Sequence, residues 1–150
     1  MNRRGALKAI FGGLASLYLP FWMQPADASA RLPRCSGKLS LYNMHTHEEL
    51  SIAYLNAQGK LNPKALKRLD HFFRCHHNDK VCHMDPRLYT LLDTVQTRLG
   101  VDDRAIQLVS GYRSPEYNRL LRSRSSRVAK QSYHTKGMAA DIQIEGVRLS

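Results

Sequence analysis

Polar and apolar residues alternate over residues 38–43, Lys-Leu-Ser-Leu-Tyr-Asn, as in a strand with one face buried. The alternation returns over residues 49–55, with Leu50, Ile52 and Tyr54 on one side. Residues 44–48 read as the turn of a hairpin, and residues 56–60 as a second turn. Asn62-Pro63 is a helix start: a capping side chain, then a ring that needs no amide partner. Leu66, Leu69, Phe72 and Phe73 follow at helical spacing, which predicts an amphipathic helix over 63–76. Asp85-Pro86 repeats the device. Leu88, Leu91, Leu92, Val95 and Leu99 then form an apolar stripe, and Gly100 is the stop. Both stripes read as core rather than as cofactor contacts.

Residues 106–110 (Ile-Gln-Leu-Val-Ser) are strand-like and leave through Gly111-Tyr112-Arg113. Ser114-Pro115 caps a short helix to about Leu121, and residues 122–136 are a polar, basic loop. Residues 138–145 read as another strand, with Ile142 and Ile144 on one face and Asp141, Gln143 and Glu145 on the other. Residues 146–150 look like the approach to a further helix. No internal repeat is present.

The first thirty residues follow a different pattern. Residues 2–8 are short and basic, residues 10–23 are apolar but broken by Gly12, Gly13 and Pro20, and Ala26-Asp27-Ala28 supplies an A-x-A site. These are the parts of a secretory signal, and Arg3-Arg4 followed by Leu7-Lys8 resembles the twin-arginine type. The expectation is an export signal over 1–28 and one domain over 29–150, with no stable membrane span after cleavage. An uncleaved anchor is the alternative.

Length and composition narrow the picture. The 150 residues suit one domain, and 43% hydrophobic with 23% charged residues is ordinary for a globular chain. The 23 Lys and Arg against 12 Asp and Glu leave a formal net charge of +11, which bears on partners rather than on fold. Three cysteines are too few for a disulfide-built miniprotein. Cys75 and Cys82 flank a turn in a chain expected to reach an oxidising compartment. A disulfide, free thiols and a soft metal site with His76, His77 and His83 all remain open, although C-H-H-x-x-x-x-C-H matches no zinc module.

Two segments carry candidate chemistry. In residues 132–141, His134 and Asp141 offer an imidazole and a carboxylate, both good zinc ligands. They are seven positions apart, so they converge only if His134 lies on a loop and Asp141 on the strand after it, with Gly137 bending the chain between. On chemistry alone this is a weak pattern. In Ser110-Gly111-Tyr112-Arg113-Ser114, a strand end presents Arg113, which suits a substrate carboxylate or a developing oxyanion. The plain alternative is a solvated turn arginine.

Together the two segments are specific. The string S-x-H-x-x-G-x-A-x-D over 132–141, preceded by S-G-Y-R-S over 110–114, resembles the D-alanyl-D-alanine-type zinc peptidases, most closely their murein endopeptidase K branch. Residues 41–46, 69–74 and 127–134 also match that branch, so the likeness spans about 38–150. The resemblance implies an α+β fold, an antiparallel sheet flanked by helices. It implies one Zn²⁺ and hydrolysis of peptide cross-links in peptidoglycan, in the periplasm or elsewhere in the envelope. Carried over residue by residue, His134 and Asp141 match zinc ligands, and Arg113 matches the arginine that positions substrate and polarises the scissile carbonyl.

The sequence also departs from the family. The family supplies a third ligand, a histidine on a later strand, with a catalytic carboxylate near it, and no histidine follows His134 here. Three accounts follow: a C-terminally truncated product lacking the last strands, which is the favoured one; replacement by His45, His47, His71, His76, His77 or His83; or an inactive relative. Glu48, Glu49 and Glu145 are candidate bases by residue type alone. His45, His47 and His71 read equally well as ordinary surface or packing residues.

Between Arg113 and Lys136 stand seven cations and one acid, Glu116. Such a run is a solvated face or a surface for polyanions. Export and the scarcity of aromatics argue against nucleic acid. A peptidoglycan-binding module without catalysis is therefore the competing function.

Overall fold

The computed structural model describes residues 35–147, so the expected signal over 1–28 and the approach to a further helix at 148–150 lie outside the described residues. Strand β1 (Lys38–Asn43) and strand β2 (Glu49–Ala53) form the predicted hairpin, with Leu41 opposite Leu50. Helix α1 (Pro63–Phe72) and helix α2 (Pro86–Leu99) follow, then strand β3 (Ile106–Ser110), helix α3 (Pro115–Arg124) and strand β4 (Asp141–Ile144). The sheet order is β2-β1-β3-β4. Both outer pairs are antiparallel, as expected. The central pair, β1 with β3, is parallel, Leu41 standing against Ile106. The fold is thus α+β with a mixed sheet.

That central pairing positions everything that matters later. Two parallel strands end at the same rim, so the residues after Asn43 and after Ser110 emerge side by side. Because β4 runs antiparallel to β3, it begins at that rim, with Asp141 opposite Ser110. A register shift between Leu108 and Ser110 bends this end of the ladder, as bulges do.

Asn62 caps α1 by accepting from the amides of Lys64 and Ala65, and Asp85 caps α2 through Arg87 N. Leu39, Leu41, Ile52, Leu69, Phe72, Phe73, Tyr89, Leu92, Ile106 and Leu108 form the core between helices and sheet. The buried face of α2 is rotated from the predicted stripe: Leu91 and Leu99 are exposed, while Asp93 and Gln96 are buried. The reason is polar. Asp93 accepts from the amides of Ser36 and Gly37 and from the hydroxyls of Ser36 and Tyr54, at 2.8–2.9 Å. Gln96 donates to the carbonyl of Arg104. A carboxylate with four donors is stable in the interior, where an unpaired one is not. Burial and the Asp93 carboxylate push the Tyr54 phenol far above its ordinary pKa, so it stays a donor.

Helix α1 ends at Phe72, four residues before the predicted end. The Phe73 carbonyl accepts from Tyr112 N, and the chain then closes a tight loop through Cys75 N to Lys80 O. Cys75 and Cys82 are free thiols. Among the described residues no helix is long and apolar enough to cross a membrane.

Candidate metal centre

Gly111 follows β3 and passes against the end of α1. A Cβ at this position would meet the Phe73 carbonyl oxygen at 2.5 Å, so only glycine permits the approach. The approach lets Tyr112 N donate to Phe73 O at 2.7 Å and leaves the Gly111 carbonyl facing His134. The turn bearing His134 is a single 3₁₀ turn, Tyr133–Lys136, closed by Gly137 in the left-handed region at φ 68°. A Cβ on Gly137 would stand 2.8 Å from the His83 carbonyl oxygen, and its own carbonyl accepts from Asp85 N. The turn is therefore seated on the segment that leads into α2. Arg113 N donates to the His134 carbonyl, which ties the two candidate segments together.

The sequence-predicted trio converges. His134 Nδ1 lies 2.9 Å from the Gly111 carbonyl, which can only accept, so this nitrogen carries the proton. In the neutral ring Nε2 is then a bare lone pair, and it faces Asp141 Oδ1 at 3.4 Å. The other oxygen, Asp141 Oδ2, accepts from Arg113 Nη2 at 3.3 Å, and the same Nη2 lies 3.3 Å from Ser110 Oγ. His134 and Arg113 are largely buried at 12% and 15% side-chain exposure, while Asp141 is 55% exposed and opens the site to solvent.

This arrangement suits a divalent cation. Two acceptors facing each other repel unless a cation or a second proton lies between them. A nitrogen and an oxygen that share a tetrahedral zinc, each about 2.0–2.1 Å from it, stand about 3.3 Å apart. The observed 3.4 Å needs no rearrangement. The carbonyl behind Nδ1 is the outer partner that metal-binding histidines use to fix ring orientation. Arg113 Nε is buried with no hydrogen-bond partner among the described residues.

None of the alternative histidines joins this pair. Among the described residues no group of three or more His, Cys, Asp and Glu is placed to hold a metal. His47 bonds the Tyr42 hydroxyl, His83 bonds Asp70, His71 lies beside Arg74, and His45 stacks on His76. Glu48, a candidate base, is held by two oxygens on the Arg74 guanidinium, which lowers its pKa and occupies it. Glu145 lies just past the end of β4 that is remote from Asp141.

The chain was also compared with known proteins. A family model described as peptidoglycan L,D-endopeptidase MepK matches residues 30–150. The chain is 41% identical over 149 residues to the peptidoglycan L,D-endopeptidase MepK of Escherichia coli strain K12, covering 99% of this chain and 79% of that one. It is 40% identical over 111 residues to the probable peptidoglycan L,D-endopeptidase MepK of Haemophilus influenzae, covering 74% of this chain and 59% of that one. No solved structure matches. With the family model spanning residues 30–150 and 41% identity over nearly the whole chain, the chain belongs to the peptidoglycan L,D-endopeptidase MepK family of the M15 peptidases.

Proposed function

We propose that this chain is a zinc-dependent murein endopeptidase, exported to the periplasm or the wider cell envelope by the signal in residues 1–28, that hydrolyses peptide cross-links of peptidoglycan. The observation that carries the reading is the His134–Asp141 pair, 3.4 Å apart with the imidazole tautomer fixed from behind. His134 Nε2 and Asp141 Oδ1 would hold the metal. Bound zinc supplies Lewis acidity and lowers the pKa of a coordinated water to about 7.

The protein's own groups do the rest. Asp141 accepts from Arg113 through Oδ2, so one carboxylate orients both the metal-facing side and the guanidinium. Arg113 holds its guanidinium beside the metal-facing pair, Nη2 on Asp141 Oδ2, where its charge stabilises the oxyanion that grows on the scissile carbonyl. Gly111 O keeps the proton of the neutral ring on His134 Nδ1, which leaves Nε2 as the ligand atom.

The test uses the purified protein with isolated peptidoglycan and zinc. Soluble muropeptides are the expected product. Metal analysis of His134→Ala and Asp141→Ala should find little zinc; stoichiometric zinc in either variant refutes the assignment. A second reading, a peptidoglycan-binding module without catalysis, is favoured by one observation. A hydrolytic zinc centre ordinarily takes three protein ligands, and the described residues bring two together. Pull-down on peptidoglycan without release of fragments, lost at high salt, would support it.

A further inference from the structure

Along the site's rim lies a second group of side chains that the proposed chemistry does not use. His45, in the β1–β2 turn, stacks on His76 with ring centroids 3.9 Å apart and planes 15° apart. His76 meets Tyr117 of α3 edge-on, its Nε2 3.2 Å from the phenol oxygen. Tyr117 in turn stacks on His77 at 4.6 Å. Four rings from three segments thus form one continuous surface. It lies beside the site, because His45 follows β1 as Arg113 follows β3, and Tyr117 is on the helix that Ser114 caps. Asn78 fastens the loop carrying His76 and His77 to Ser114 Oγ at 3.0 Å.

The surface offers ring nitrogens and no carboxylate of its own. The acids on the surrounding elements are engaged elsewhere: Glu48 and Asp79 pair with Arg74, and Glu116 pairs with Lys80. No carboxylate contacts His45, His76 or His77 among the described residues. Burial first, then the neighbouring His45, His77 and Arg113, hold the His76 imidazole below its ordinary pKa.

We propose that the His45–His76–Tyr117–His77 surface binds a carboxylate of the substrate peptide outside the bond that is cut, and so selects peptides that carry a free carboxylate there. The inference rests on the peptidase reading, which supplies a peptide lying across Arg113; an extended chain advances about 3.3–3.6 Å per residue and reaches the rings within a few residues. The imidazole N–H groups are the donors, and Arg113 adds attraction without being diverted from the scissile carbonyl.

The test measures binding of fluorescein-labelled soluble muropeptides to the full chain in EDTA, with the peptide carboxylates free or capped as methylamides. Capping should weaken binding to the wild type by tenfold or more, as expected for hydrogen bonds to a charged group. His76→Phe and His45→Phe retain ring stacking but remove nitrogen donors, and should reduce that difference to about twofold, with a raised KM for uncapped substrate in the zinc-loaded protein. Equal wild-type binding of the two peptides overturns the inference without recourse to any variant. So does a tenfold difference that persists in both variants, which would assign the effect to the basic residues of 119–136. Failure to cleave peptidoglycan with the discrimination intact would instead count against the hydrolase and leave the carboxylate site standing.

Discussion

Gly111→Ala tests whether the close approach of β3 to α1 is what aims His134. The new methyl would begin 2.5 Å from the Phe73 carbonyl oxygen and 3.1 Å from its carbon. A carbon–oxygen contact settles at about 3.3 Å or more, so the strand end must retreat by about 0.8 Å. Tyr112 N, now 2.7 Å from the same oxygen, would then stand near the limit of a hydrogen bond. Overpacking against backbone costs about 1–3 kcal/mol, and the weakened buried bond about 1 more. The sum, about 2–4 kcal/mol, corresponds to a fall in Tm of about 8–16 °C at roughly 4 °C per kcal/mol for a domain of this size. The retreat also moves the carbonyl that fixes His134 Nδ1, and loss of such an outer partner weakens metal affinity about 10–100-fold. Gly59→Ala is the control. It sits at φ +72° with nothing within 4 Å of a new Cβ, so it should cost about 1–2 kcal/mol of left-handed strain and leave metal affinity alone. Thermal melts and zinc titration of both variants decide the matter. Wild-type zinc affinity in a folded Gly111→Ala protein would refute the reasoning.

Other outcomes follow from the same geometry. Arg113→Ala should lower turnover by about two to three decades while zinc content stays the same, since the arginine acts on developing charge; single-turnover assays with metal analysis separate the two effects. Asp93→Ala leaves two amides and two hydroxyls without their common acceptor and should cost about 3 kcal/mol or more, read as a lower urea midpoint. His76 is harder to protonate in the folded protein than in the unfolded chain. Stability should therefore be highest above the unfolded value near pH 6.5 and fall as pH drops below it, a slope that His76→Phe reduces in urea titrations at pH 5.5 and 8.

The elements that sequence periodicity located best are those with local signals. Asn62-Pro63 and Asp85-Pro86 mark both helix starts because a cap and a ring act within one turn. The Arg113 turn and the His134–Asp141 spacing were also legible, and the convergence of these residues is the part of the site that motif reading anticipated. Three features were not, each for a physical reason. The parallel pairing of β1 with β3 joins segments separated by two helices, and nothing in either strand encodes its partner. The buried faces of α1 and α2 include Asp70 and Asp93, which hydrophobic spacing scores as solvent-facing but which bind amides and hydroxyls from distant segments. The His45–His76–Tyr117–His77 surface is drawn from three separate stretches, and each ring alone reads as an ordinary surface residue.

The central parallel strand pair also governs when this protein can become active. Leu41 cannot meet Ile106 until everything between them has been synthesised and both intervening helices have found their places. Contacts across such spans form late and slowly, because the closing chain gives up its freedom before the pairing rewards it. Asp141 is made later still, and its place is beside Ser110 at the end of β3. A nascent or half-collapsed chain thus has His134 and Asp141 apart and the Arg113 guanidinium unaimed. Latency is built into the topology, so a hydrolase directed at the cell's own wall needs no separate inhibitor while it is still unfolded.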